Sequence, residues 1–265
     1  MPDRTQNRHT DVDSALVAEI AEALQQLGVR PGGVLLVHSS LSSLGYVPGG
    51  PETVIQALLK ALGPGGTLLM PALSYLYVTP KRPLFDVRTT PSNVGAIPEA
   101  FRLRRGTYRS IHPTHSVCAL GPLTKHLLEH HKEDDTPCGP HSPFSLLPEV
   151  QGQILMLGCG LRPNTSMHGI EERVVPPYLF APPTTYVITD YHGVTYEKTY
   201  TPHSFQGWEQ RYDRVAALLS PPALRTGHVL QATCHLLEAE ALWERALSAL
   251  QRNPLAFVEP LQSAT

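Results

Sequence analysis

Charge and cysteine are both scarce in this chain. Charged residues make up 17% of it and the formal net charge is −2. No long basic run occurs, so the electrostatic footprint of a nucleic-acid binder is missing. Four cysteines, Cys118, Cys138, Cys159 and Cys234, stand far apart with no CxxC pair, which argues against a zinc ribbon and a disulfide framework. No apolar run approaches the 18 or so residues of a membrane span. The polar start, MPDRTQNRHTDVDS, lacks the apolar core of a signal peptide, so a reducing cytoplasm is the expected location. The GxGxxG fingerprint and the Lys-Ser/Thr of a Walker loop are also absent, which speaks against NAD and nucleoside triphosphates.

What the chain does have is apolar content, 42% over 265 residues, together with 26 prolines gathered between periodic segments. That composition predicts a folded, loop-rich protein. Helical spacing of Leu16, Ile20, Leu24 and Leu27 predicts a helix over 13–28, ended by Gly28. A strand over 34–37, a helix over 51–62 opened by Pro51 and a strand over 67–70 make a βαβ unit. A long Pro-rich segment, 71–91, follows. Further helices are predicted over 97–105 and 123–131, and strands over 117–120 and 154–157. Residues 185–200 read as a β-hairpin turning at Asp190–Gly193. A helix over 208–219, a strand over 229–233 and a helix over 236–250 complete the chain. The fold class is therefore α/β, a central and mostly parallel sheet flanked by helices, with a hairpin-bearing C-terminal subregion forming a cleft. No linker or repeat interrupts residues 1–265, so one domain is expected.

Three stretches could carry chemistry. NTSMHGIEE, 164–172, puts the imidazole of His168 beside Glu171 and Glu172. Offsets of three and four share a helix face, so either carboxylate could orient the ring as a general base. Asn164, Thr165 and Ser166 are good helix starters, which places His168 in a first turn at a strand-to-helix corner. HSSLSSLG, from His38, joins a strand to a helix N-terminus and suits an anionic group. RSIHPTHS offers Arg109 as a phosphate fork and His112, His115 and Ser116 as donors. The two histidines also admit a metal, although Pro113 holds the chain extended between them and no third ligand is evident nearby. His203, between hairpin and helix, could reach the site or merely cap that helix.

Together HSSLSSLG-VPGG, GTLLMP, FD-R-TPSNVGAIPEAFR, RSIHPTHSV, SPF and NTSMHGIEE resemble the aminoglycoside 3-N-acetyltransferase family, in order from about residue 34 to residue 215. The resemblance implies acetyl-CoA as co-substrate, with no metal, and an amine acceptor, by family the 3-amine of an aminoglycoside antibiotic, so that acetylation confers resistance. It implies a cleft with the coenzyme on the side of residues 1–160 and the catalytic and acceptor groups on the side of 161–265. It places the catalytic histidine on His168 and its acidic partner on Glu171. It assigns coenzyme contacts to Ser39, Ser40 and Leu41 and to Arg109, Ser110, His112, His115, Ser116 and Val117. Glu99, Tyr75, Glu172 and His203 are the candidates for the acceptor side. No nucleic acid or membrane partner is expected, and the chain would act as a monomer or homodimer. The rival readings are acetylation of a different amine, a metal-dependent hydrolase built on His112, His115, His168 and Glu171, and a non-catalytic binding module.

Overall fold

The alternation of side chains along the first strand sets the layers of the molecule. The computed structural model describes residues 12–261. Its first half holds α1 (Ser14–Leu27), β1 (Val34–Ser39), α2 (Pro51–Leu62), β2 (Thr67–Pro71), β3 (Leu84–Asp86), α3 (Ala96–Leu103), β4 (Tyr108–Arg109), β5 (Val117–Leu120), α4 (Thr124–Leu128), α5 (Pro143–Leu146) and β6 (Gln153–Leu157). There follow α6 (Ser166–Val174), β7 (Thr184–Thr189), β8 (Thr195–Tyr200), β9 (Trp208–Gln210), β10 (Leu224–Val229), β11 (Ala232–Glu238), α7 (Ala239–Arg252) and β12 (Val258–Pro260). Leu35 and Val37 of β1 face a core shared with α1, α2 and α3. Val34 and Leu36 face the opposite core, shared with α6 and α7. A period of two thus makes a sandwich of helices, sheet and helices.

The main sheet runs β10-β11-β6-β1-β2-β5-β4. Its three central strands are parallel, Leu35 standing opposite both Leu68 and Gln153. The outer strands join antiparallel, β11 on β6, β10 on β11, β5 on β2 and β4 on β5. The α/β plan agrees with the sequence reading, but the sheet is mixed and not mostly parallel: only the two central pairings, which lie between helices on both faces, are parallel, and the outer pairs β10–β11 and β4–β5 are antiparallel because each returns as a neighbour through a short connection. Because β10 and β11 belong to the C-terminal part of the chain, strands from both sides of residue 160 build one sheet.

Two helices predicted from spacing take other forms. Residues 208–219 form β9, paired with β12, and then a 3-10 segment over Tyr212–Ala217. Arg211 ties Asp213 and Glu259 together there, so local ion pairs and a distant strand override the helical pattern. The last helix begins at Ala239, because Leu236 to Glu238 pair with β6. The β7–β8 hairpin forms as expected, with Asp190 accepting from the backbone of His192 and Val194 at its turn. The Pro-rich segment contributes β3, which pairs parallel to β7 and makes a separate three-stranded sheet. His38 and Ser39 lie at the carboxyl end of β1 and α6 follows the carboxyl end of β6, the usual place for a site in an α/β protein.

Candidate active site

Helix α6 leaves the carboxyl end of β6 through a short loop in which buried Asn164 accepts from the backbone N–H of Ser166 at 3.2 Å. His168 falls in its first turn. The next residue is Gly169, where a Cβ would lie 2.9 Å from the Trp243 ring, so glycine lets α7 close on α6. The Trp243 indole also donates to Ser166 Oγ at 3.3 Å. The helix that carries His168 is therefore pinned from below.

Glu171 is fully buried and accepts from Tyr178 at 2.8 Å and from Tyr212 at 2.7 Å. His168 Nδ1 lies 3.3 Å from Glu171 Oε2 and 2.9 Å from the Tyr212 oxygen. The single tyrosine proton goes to the carboxylate, so the Tyr212 oxygen is free to accept from Nδ1–H. This assigns the proton to Nδ1 and leaves Nε2 as a lone pair, the form a general base requires.

Glu172 points elsewhere. It accepts from Thr136 Oγ1, from the Cys138 backbone N–H and from His203 Nε2, at 2.5, 2.7 and 2.7 Å. Burial outweighs these donors and lifts its carboxyl to about 7. His203 thus joins the site rather than capping a helix. Its ring is 4.9 Å from that of His168 and 5.1 Å from that of His115, centroid to centroid. Burial pushes both His115 and His203 well below the usual imidazole range. One ring nitrogen from each of His115, His168 and His203 lies within 4.8 Å of those of the other two.

The residues expected at the coenzyme divide. Ser39, Ser40 and Leu41 line an open cavity of about 590 Å³ together with Tyr46 and Gly95. Ser39 Oγ is buried without a partner, whereas Ser40 is held by Ser43. The Arg109 to Val117 block is mostly scaffold. The Arg109 guanidinium donates to Ser116 Oγ, Ala72 O and Thr90 O at 2.7, 2.7 and 2.5 Å, and is too occupied and too buried to clamp a phosphate. Ser116 passes its own proton to Ala72 O, Ser110 binds His131 and Val117 N–H, and Val117 sits in the sheet core. His112 Nδ1 accepts from the backbone of Thr114 and His115, and neither His112 nor Glu171, which two tyrosines occupy, joins the nitrogen cluster, so the alternative hydrolase set does not assemble. On the acceptor side, Glu99 is gripped by Arg102 at 2.6 and 2.8 Å and accepts from Ser92 N–H; it braces the start of α3. Tyr75 is half exposed, 6.4 Å from His115 by ring centroids, and overlooks the imidazole cluster.

Sequence reasoning missed three members. His38, at the end of β1, is buried, and its Nε2 has no partner. Burial first, and then the charge of His168, bring it down to about 3, so it stays neutral beside His168. Tyr178 and Tyr212, the partners of Glu171, lie seven and 41 residues from it in sequence. No local signal marks Tyr212, and the only hint at His38 is its place at a strand end. A second cavity of about 610 Å³ lies between β4, α4 and the hairpin turn; none of the clustered imidazoles lines either cavity.

A buried imidazole held by a carboxylate, on the helix that leaves a central parallel strand, is the arrangement of a site in an α/β enzyme. The particular family follows from comparison. A sequence profile for aminoglycoside 3-N-acetyltransferases matches residues 36–251. The chain is 35% identical to aminoglycoside N(3)-acetyltransferase IV from Salmonella sp over 249 residues, 92% of this chain and 90% of that protein. It is similar to the crystal structure of a histidine-to-alanine mutant of aminoglycoside acetyltransferase AAC(3)-IVa in complex with a gentamicin, with TM-score 0.77, 33% identity and coverage of 92% and 91%. It is also similar to the binary structure of AAC-IIIb with CoASH, with TM-score 0.78, 27% identity and coverage of 93% and 98%. The chain belongs to the aminoglycoside 3-N-acetyltransferase family.

Proposed function

We propose that His168 takes a proton from an amine of a bound aminoglycoside, so that the amine attacks the thioester of acetyl-CoA. The enzyme is an acetyl-CoA-dependent aminoglycoside 3-N-acetyltransferase, an acyltransferase of the antibiotic-resistance class. An ammonium has no lone pair to offer a carbonyl, so the reaction needs a base at the amine. His168 Nε2 is the nitrogen left free when Nδ1 is held by Glu171 and Tyr212, and that arrangement is the observation on which the reading rests. Glu171 fixes the tautomer and stabilises the imidazolium that forms. As the nitrogen–carbon bond forms and the carbon–sulfur bond breaks, the nitrogen's second proton passes to solvent and the imidazolium protonates the departing thiolate, so that one proton is released per acetyl group transferred.

The serine-lined cavity at Ser39 to Leu41 is the natural coenzyme side. Arg109, Ser110, Ser116 and Val117 support that side from within. On this reading the segment before residue 160 supplies the coenzyme side and the segment after it supplies His168 and Glu171, while His115 and Tyr75 cross from the first segment to the acceptor side. Tyr75, beside His115, forms a wall of the acceptor side. The four cysteines are free, which fits work in the reducing cytoplasm, and no helix among the described residues is long and apolar enough to cross a membrane. The chain acts as a monomer or homodimer. The test is thiol release from acetyl-CoA with gentamicin or apramycin, the aminoglycosides bound in solved relatives. Release that depends on the added antibiotic is expected. Silence with every aminoglycoside tried would overturn the acceptor.

A further inference from the structure

The rings around His168 have an arrangement that acetyl transfer does not require. Three imidazoles reach the same point from three elements: His115 from the loop before β5, His168 from α6 and His203 from the strap after β8. Each has its remote nitrogen held. His168 Nδ1 is on Glu171, His203 Nε2 is on Glu172, and His115 Nδ1 is on Thr114 Oγ1 at 2.9 Å. The nitrogens left over are His168 Nε2, His203 Nδ1 and His115 Nε2. His203 Nδ1 is a buried atom with no partner, on a side chain only 4% exposed. A buried nitrogen without a partner is destabilising unless something binds it.

We propose that His115, His168 and His203 form a binding site for one divalent transition-metal ion, zinc above all, whose occupancy excludes acetyl transfer. Imidazoles backed by carboxylates on their remote nitrogens are the usual outer arrangement of histidine metal sites, because the carboxylate fixes the tautomer and raises the donor strength of the ring. Three neutral nitrogens with a fourth position open suit zinc, cobalt(II) or copper(II) and give nothing to magnesium or calcium, which want oxygen. Zinc–nitrogen bonds of about 2.0–2.1 Å need the three atoms about 3.3 Å apart. From within 4.8 Å, small side-chain rotations close that gap. The ion takes the same lone pair of His168 that would receive the amine proton, so the two occupants compete. It acts as an inhibitor, since acetyl transfer through His168 asks for no metal.

The site itself does not depend on the acetyl-transfer reading; only its inhibitory effect does. Titrating Co²⁺ into tag-free, metal-free full chain tests it. One equivalent should bind with the visible absorption of a low-coordinate cobalt centre, be displaced by Zn²⁺ and be indifferent to excess Mg²⁺. His203→Asn and His115→Asn, each checked for folding by circular dichroism, should weaken binding at least tenfold. Absence of the cobalt band in the wild-type chain, or unchanged affinity in both folded variants, would overturn the proposal. In the acetyl-transfer assay, Zn²⁺ should abolish thiol release over the concentration range in which it displaces cobalt, and EDTA should restore it. Binding that leaves turnover intact would keep the ion site and instead contradict His168 as the base.

Discussion

Each of the two adjacent carboxylates in NTSMHGIEE serves its own histidine. A helical wheel cannot separate Glu171 from Glu172. Burial and hydrogen bonds do, sending Glu171 to His168 with two tyrosines and Glu172 to His203. Tyr212 is the least expected of these partners and the easiest to test. Tyr212→Phe removes a donor to a buried carboxylate and the acceptor for His168 Nδ1–H. A hydrogen bond to a charged group contributes about 1.5 kcal/mol, which corresponds to about tenfold in rate. Steady-state kinetics should show kcat about tenfold lower with KM for acetyl-CoA little changed. Wild-type kcat in that variant would remove Tyr212 from the orienting group.

At the scale of elements, the sequence announced those whose signals are local and concealed those that depend on distant partners. The first helix, stopped by Gly28, and the βαβ unit through Pro51 were legible because caps and periodicity act over a few residues. So was the strand-to-helix corner that places His168. The stretch after Trp208 was not, because β12 and the ion pairs of Arg211 decide its form. The Arg109 block read as a coenzyme clamp for a similar reason: composition shows a guanidinium but not the three internal acceptors that occupy it. The contact of α6 with α7 gives a test at this scale. Gly169→Ala sets a Cβ 2.9 Å from the Trp243 ring and 3.1 Å from Ser145 Oγ. Overpacking of this kind costs about 1–3 kcal/mol. Thermal denaturation should show a lower melting temperature, and kcat should fall because α6 carries both His168 and Glu171. A variant as stable and as active as wild type would show that this contact does not position the helix.

The whole molecule carries an unusual load of buried imidazole. His38 and His131 are brought down to about 3 and about 4, and His112, His115 and His203 lie well below the usual value, burial being the largest cause in each. Their folded values lie below the unfolded value of 6.5. As pH falls below that point the unfolded chain takes up protons that the folded chain refuses, and stability is lost; each such group contributes up to about 1.4 kcal/mol per pH unit. Glu172 works the other way, because its raised carboxyl gives stability that is lost as pH rises from 4.5 to about 7. Asp134 and the exposed His130 are also shifted upward, but the five buried rings outnumber these three groups. The melting temperature should therefore be nearly level above pH 7 and fall steeply between pH 6.5 and 5. An unchanged melting temperature at pH 5 would mean that these rings charge freely in the folded state.

The central claim is that His168 is the base of acetyl transfer, and its replacement tests that most directly. General-base assistance is worth about 10²–10⁴-fold. In a thiol-release assay with acetyl-CoA and an aminoglycoside that the wild-type enzyme acetylates, His168→Ala should lose turnover by a factor in that range, while calorimetry shows acetyl-CoA bound as before. Near-normal release of coenzyme A by the folded variant would contradict the account.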